Sequence, residues 1–180
     1  MKLLEIVNNV SARQSFRMAF LTNFIREPTL RRLEAEHGLI RPEWTVLTCL
    51  NYYDGATARD ICEVTEQPRN TISRGVIALE SKDLVRREPD PDDARRTCVW
   101  LTEAGRRMYR HMAEHFERIE HAMLSQLEAH EREALDRILT KLCLTLPDWL
   151  VERPAVVAVR ADGLMAKAPA DSERLSPGSY

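Results

Sequence analysis

Apolar positions along this chain recur mostly at spacings of three and four, with few alternating runs, so the pattern predicts a mainly helical protein. Ile6, Val10, Phe16, Phe20, Leu21, Phe24 and Ile25 form an imperfect stripe over residues 5–26, predicting one long helix that stops before Pro28. Leu30 and Leu33 mark a short second piece ended by Gly38. Pro42 suits the first turn of a helix running to about Tyr53, with Trp44, Leu47, Cys49 and Leu50 as its buried stripe and Val46 flanking it.

Asp54-Gly55 is a turn signal, and Thr57 is placed to cap a short helix over residues 58–65 whose inner face is Ile61, Cys62 and Val64. After the break at Glu66-Gln67-Pro68, a helix runs to about Lys82. Ile72, Val76 and Leu79 lie on one of its faces, with Arg69, Asn70, Ser73 and Arg74 largely on the other. The result is a helix, a tight turn and a second helix with a polar leading end. Residues 84–87 and 97–101 are β-prone runs separated by Pro89, Pro91 and several aspartates, the pattern of a hairpin with a long polar tip. Thr102 then caps a helix from Glu103 to about Glu128, and a further helix over residues 131–146 ends at Pro147. From Arg153 onward the chain is rich in Ala, Pro and Ser without periodicity, so residues 151–180 are expected to be a mobile tail.

Composition narrows the choice. With 180 residues and 44% hydrophobic content, one substantial core is expected. No apolar run is long enough to span a membrane, and residues 1–9 lack the layout of a signal peptide, so a cytoplasmic protein with no membrane partner is expected. Cys49, Cys62, Cys98 and Cys143 are widely spaced without a C-x-x-C pair, which points to reduced, mostly buried thiols; a redox sensor would need an exposed thiol of lowered pKa. The net charge of −2 hides a local excess: between Arg69 and Arg110 ten basic residues face seven acidic ones. Compensating acid lies elsewhere, notably over residues 114–133, as expected if one face meets nucleic acid and another meets protein or solvent.

Three stretches carry a family resemblance. Asp93-Ala94-Arg95, followed by Val99, Leu101-Thr102 and Gly105, is similar to the D-x-R wing, second wing strand and L-T-x-x-G helix start of the MarR family of bacterial regulators. The run Gly38-Leu39-Ile40-Arg41-Pro42-Glu43-Trp44-Thr45-Val46-Leu47 resembles the start of that family's second long helix. Thr71-Ile72-Ser73-Arg74 with Leu79 and Leu84 resembles its recognition helix. The resemblance spans residues 10–148 with order and spacing preserved. Ala94 stands where the family often has a first arginine, though Arg95 and Arg96 follow directly.

The resemblance implies a mainly α winged helix-turn-helix fold with a short β-hairpin wing. Residues 1–38 and 103–150 would supply N- and C-terminal dimerisation helices, and residues 39–102 the DNA-binding lobe. It implies a DNA-binding transcriptional regulator, expected to be a repressor, that holds an inverted-repeat operator in double-stranded DNA as a homodimer and is released by a small-molecule effector, an aromatic or phenolic acid among the candidates. Apolar residues such as Phe16, Phe20, Phe24, Ile119, Leu124, Leu127, Leu135 and Leu142 exceed what one lobe can cover, which agrees with a second copy.

Expected DNA contacts are Arg69, Asn70, Thr71, Ser73 and Arg74 at the leading end of the recognition helix, where an Arg or Asn can pair with base edges. Arg95 and Arg96 would serve the wing; the resemblance implies that Asp93 orients the neighbouring arginine through an ion pair, a plain solvated loop acid being the alternative, and Arg86 and Arg87 would hold phosphates or remain surface charges. An ordinary solvated helix face is the alternative for Arg69 and Arg74. Candidate effector contacts are Arg13, Arg17, Trp44, His111 and His115. No cofactor and no metal ligand set is expected.

Rival readings remain. His111-Met112-Ala113-Glu114-His115 fits H-x-x-E-H, a zinc-hydrolase pattern, but lies in a helix with no identifiable third ligand. A metal- or redox-responsive regulator of the same fold is a second alternative. A winged-helix module that joins proteins without touching DNA is the third.

Overall fold

The structure, a computed structural model, describes residues 2–149 except 92 and 94. The expected tail over residues 151–180 and the wing residue Ala94 therefore lie outside the described residues. In chain order the elements are α1 (Lys2–Asn9), α2 (Arg13–His37), α3 (Arg41–Tyr52), α4 (Ala58–Thr65), α5 (Arg69–Ser81), β1 (Val85–Pro89), β2 (Thr97–Leu101), α6 (Glu103–Leu124), α7 (Ala129–Leu144) and α8 (Leu146–Trp149). The described part is mainly helical with one two-stranded hairpin, as the periodicity predicts, and its element order is that of the winged helix-turn-helix the resemblance implies. Among the described residues no helix is long and apolar enough to cross a membrane.

The N-terminal helices break in a different place from the one proline suggests. Pro28 lies inside α2, and the interruption falls at Ala12, which adopts φ 54°. Proline removes one intrahelical donor and would ordinarily end a helix. Here Thr29 Oγ1 donates to Ile25 O at 3.0 Å, and Thr29, Leu30 and Leu33 are buried just beyond the proline, so packing of the distal half outweighs the local defect. Gly38 ends α2 at φ 62°, its N–H donating to Glu34 O at 2.9 Å, the left-handed stop that glycine adopts without a Cβ clash.

The core lies where α3, α4, α5, the hairpin and α6 converge. Val46, Leu47 and Leu50 of α3, Ile61 of α4, Ile72, Val76 and Leu79 of α5, Val85, Val99 and Leu101 of the strands, and Met112 of α6 are all buried. Each fully buried aliphatic side chain of this size contributes about 1.5–3 kcal/mol. Val46 is central to this core, whereas Trp44 and Cys49, expected in the buried stripe, are half-buried at its edge. Val64, expected on the inner face of α4, is exposed because that face is narrow and Ile61 alone fills it.

β1 and β2 pair antiparallel with Val85 opposite Leu101 and Pro89 opposite Thr97, so Pro89 ends a strand instead of sitting in the tip. Gly55 N–H donates to Val99 O at 2.9 Å and Val99 N–H to Ala56 O at 3.0 Å, tying the turn before α4 to the hairpin. Thr102 caps α6 through Gly105 N–H at 3.0 Å, and α6 ends at Leu124, four residues short of the expected limit. α7 ends at Leu144, and Pro147 falls within the short α8 instead of marking the helix stop.

Candidate nucleic-acid interface

The turn between α4 and α5 is built from local chemistry. Thr57 Oγ1 accepts from Asp60 N–H at 3.2 Å while the Asp60 carboxylate accepts from Thr57 N–H at 2.9 Å, a reciprocal cap that fixes where α4 starts. Glu66 ends α4 at φ 54°, and Pro68 precedes α5 in the extended region that proline favours. α5 then buries Ile72, Gly75, Val76 and Leu79 against α3 and α4.

The remaining face of α5 points outward at its leading end. Arg69, Asn70 and Arg74 are exposed, Thr71 and Ser73 half-buried. Among the described residues neither Arg69 nor Arg74 has an ion-pair partner, so both guanidinium groups present their full charge and donor set to solvent.

The hairpin arginines are engaged to different degrees. Arg87 Nε donates to Glu80 Oε2 at 2.9 Å; this bond holds the Glu80 carboxyl below the usual carboxylate range and pushes Arg87 up. Arg86 pairs with Glu88 and stands over the Trp100 ring, 5.7 Å from its centroid. Arg96 lies 3.6 Å from both Asp60 and Asp90, a brace from the wing to α4. Arg95 is exposed at the tip, without an ion-pair partner among the described residues. Asp93 does not form the expected ion pair: its Oδ1 accepts from the backbone N–H of Arg95 at 3.0 Å, and its carbonyl accepts from Arg96 N–H at 2.8 Å. Asp93 thus shapes the turn that presents Arg95 and leaves that guanidinium free, because a short carboxylate reaches the amide two residues on more readily than the end of a long side chain.

Behind this surface, α3 and α6 meet through an aromatic stack. Trp44 lies between Tyr109 at 5.4 Å and Phe116 at 5.0 Å, with interplanar angles of 8° and 13°. Tyr109 O–H is 3.1 Å from Tyr52 O–H, and burial first, then this contact, pushes the Tyr109 phenol up. On one side of Trp44 opens a cavity of about 220 Å³ lined by Arg26, Arg41, Thr45, Thr48, Cys49, Thr65 and Gln67. Nε of Arg26 and Oγ1 of Thr48 are shut off from solvent without a hydrogen-bond partner. Arg26 Nε lies 3.7 Å from Glu27 Oε1, and Arg41 pairs with the same carboxylate, so the two arginines of the lining share one acid beside the aromatic wall.

Of the five candidate effector residues, only Trp44 lines that cavity. Arg13 opens α2, and Arg17 is turned toward the chain's own start, its NH2 donating to Asn8 Oδ1 at 2.7 Å and its Nε to Val7 O at 3.4 Å. Arg26 and Arg41 were missed because charged residues in a helical run read as solvated; only the fold brings them to Trp44.

His111 and His115 also separate. The Nδ1 of His115 is 2.7 Å from Arg118, and burial, then Arg32 and Arg118, hold its imidazole below the usual range. His111 instead meets His37, with ring centroids 5.4 Å apart and perpendicular planes, beside Glu36. The H-x-x-E-H run therefore does not assemble as a hydrolase-like zinc pair, and the residues that join His111 come from α2, 74 positions upstream of it in the case of His37. The thiols are all free, as expected, but less buried than expected: Cys98 is buried, Cys49 and Cys62 are half-buried and Cys143 is exposed. Burial raises the thiols of Cys49, Cys62 and Cys98, the opposite of what a reactive sensor thiol needs.

A sequence profile described as the MarR family matches residues 37–96. YxaD of Bacillus subtilis, an uncharacterized HTH-type transcriptional regulator, is 30% identical over 126 residues, covering 68% of this chain and 87% of YxaD. A crystal structure of a MarR family transcriptional regulator from Silicibacter pomeroyi superposes with a TM-score of 0.62 and 27% identity, covering 76% of this chain and 92% of that one. A point mutant of MepR from S. aureus, bound to an oligodeoxyribonucleotide, superposes with a TM-score of 0.51 and 26% identity, covering 77% of this chain and 99% of that one.

Proposed function

The chain belongs to the MarR family of transcriptional regulators, and we propose that it represses its target by occupying an inverted-repeat operator as a homodimer. The observation that carries this reading is the leading face of α5, where Arg69, Asn70 and Arg74 stand exposed while the opposite face is locked into the core. A helix presented this way fits the major groove, and Arg or Asn paired to a base contributes about 1–3 kcal/mol of discrimination. Thr71 and Ser73 assist at the same end, and Arg95 reaches the flanking minor groove. Arg86, Arg87 and Arg96 serve mainly to hold the wing and neighbouring phosphates. Acting on DNA places the protein in the cytoplasm.

Dimerisation rests on uncovered apolar surface. Leu21 and Phe24 of α2 and Ile138, Leu142 and Leu144 of α7 are exposed, and α7 buries none of its residues. Residues 1–38 and 103–150 would close this surface against a second copy, leaving residues 39–102 as the DNA lobe. Two recognition helices would then sit about 34–36 Å apart, one turn of DNA.

The effector in this reading is a small aromatic or phenolic acid held beside Trp44, its carboxylate taken by Arg26 and its hydroxyl by Thr48. The cavity that Arg26, Arg41 and Thr48 line beside Trp44 supports that assignment. Release then follows from a difference in acid affinity between the DNA-competent and incompetent states. Footprinting of the DNA upstream of the protein's own gene, with and without a panel of aromatic acids, tests the whole reading. Protection of a palindrome that an acid removes is the expected result; no saturable, salt-sensitive binding at low salt would defeat it.

A further inference from the structure

We propose that Glu36, His37 and His111 form a binding site for a divalent transition-metal ion of the zinc class. Glu36 and His37 are the last two residues of α2, and His111 projects from the middle of α6. One ligand atom from each lies within 4.8 Å of the other two. His37 Nε2 is shut off from solvent and has no hydrogen-bond partner; the nearest carboxylate oxygen, Glu36 Oε2, is 3.9 Å away, too far for a hydrogen bond. A bound ion would satisfy that ring nitrogen.

The donor set also has the right order. Arg32 Nε donates to Glu36 Oε1 at 2.7 Å, which orients the carboxylate and leaves Oε2 turned toward His37. Zinc bonds of about 2.0–2.2 Å place tetrahedral ligand atoms roughly 3.3 Å apart, so the three groups need to close by at most about 1.5 Å, within reach of side-chain rotations at a helix end. Two imidazoles and one carboxylate suit Zn²⁺, Co²⁺ or Ni²⁺, whereas Mg²⁺ and Ca²⁺ prefer oxygen donors alone. Water would complete the shell. His115 stands outside the group, engaged by Arg118, so the site joins two helices and is not a pair of histidines one turn apart on one helix. Its position also matters: His37 precedes Gly38, whose carbonyl accepts Lys82 Nζ at 2.7 Å just after the end of α5. An ion here would fix the end of α2 against α6 beside that link.

The test is titration of the full metal-free chain with Co²⁺, followed by visible d–d absorption, then displacement by Zn²⁺. One equivalent is expected to bind. His37→Ala and His111→Ala should each weaken binding at least about tenfold, the lower end of what even an outer-shell loss costs. His115→Ala should leave it unchanged, and circular dichroism of each variant confirms that it is folded. Absence of Co²⁺ binding by the parent chain overturns the proposal. So does any other pattern among the folded variants, including retention in His37→Ala with loss in His115→Ala, which would assign the metal to the helical pair. DNA affinity of the metal-free protein is measured separately, so failure here and failure of the regulator reading remain distinct.

Discussion

Nζ of Lys82 sits 2.6 Å from Oε1 of Glu43, a carboxylate only 2% exposed, and so ties the residue that ends the recognition helix to the first turn of α3. Glu43 Oε2 accepts from Ile40 N–H at 2.7 Å, while Lys82 also reaches Gly38 O, so one buried charge organises the α2–α3 junction and the seat of α5 together.

Lys82→Met should therefore leave an uncompensated buried carboxylate. Breaking a fully buried pair costs about 3–5 kcal/mol; because Lys82 is one-third exposed, a loss of about 2–3 kcal/mol is expected in urea unfolding. Adding Glu43→Gln should recover part of it. An unchanged midpoint for Lys82→Met would refute the coupling.

Gly105 is required by close approach. A Cβ there would lie 2.0 Å from the carbonyl oxygen of Leu84, a backbone atom that cannot swing aside. Gly105→Ala should lower stability by about 1–3 kcal/mol, the usual range for overpacking, and shift the start of α6 relative to the hairpin. Thermal unfolding checks it; a melting temperature equal to that of the parent would count against the contact.

Arg74→Ala should weaken operator binding by about 1–3 kcal/mol if it reads a base, or reduce the salt slope by about 1 if it holds a phosphate. Sedimentation should show the dimer intact. Fluorescence anisotropy across a salt series distinguishes the two roles, and unchanged binding in both would return Arg74 to a plain solvated face.

Glu80 restrains Arg87. The folded-state pKa of Glu80 is depressed, so its contribution is present above the ordinary carboxylate range near 4.3 and fades only as pH falls through the lower folded value. At neutral pH the pair is intact. Glu80→Gln should free Arg87 for phosphate and steepen the salt dependence of DNA binding by about one charge. A slope unchanged by Glu80→Gln would place Arg87 away from the duplex.

Arg26→Gln should raise the acid concentration needed for release by roughly tenfold to a hundredfold, the worth of one charge-assisted hydrogen bond, without altering affinity for acid-free DNA. Equal acid sensitivity in parent and variant would move the effector elsewhere. Trp44 fluorescence offers a direct binding signal.

The sequence by itself determined the helix-turn-helix, the hairpin and the outward face of α5, because these depend on short-range periodicity, a threonine cap, a Gly stop and turn chemistry that act within a few residues. It also carried the reason for Gly105 only as a motif; the Leu84 carbonyl explains it. Tertiary structure alone decided that Pro28 lies within a helix and that Glu43 is buried with Lys82. It alone brought Arg26 to Trp44 and His37 to His111. Those outcomes turn on partners far apart in the chain, and the energy of burying or pairing a side chain depends on which distant atoms surround it, information that local spacing does not contain.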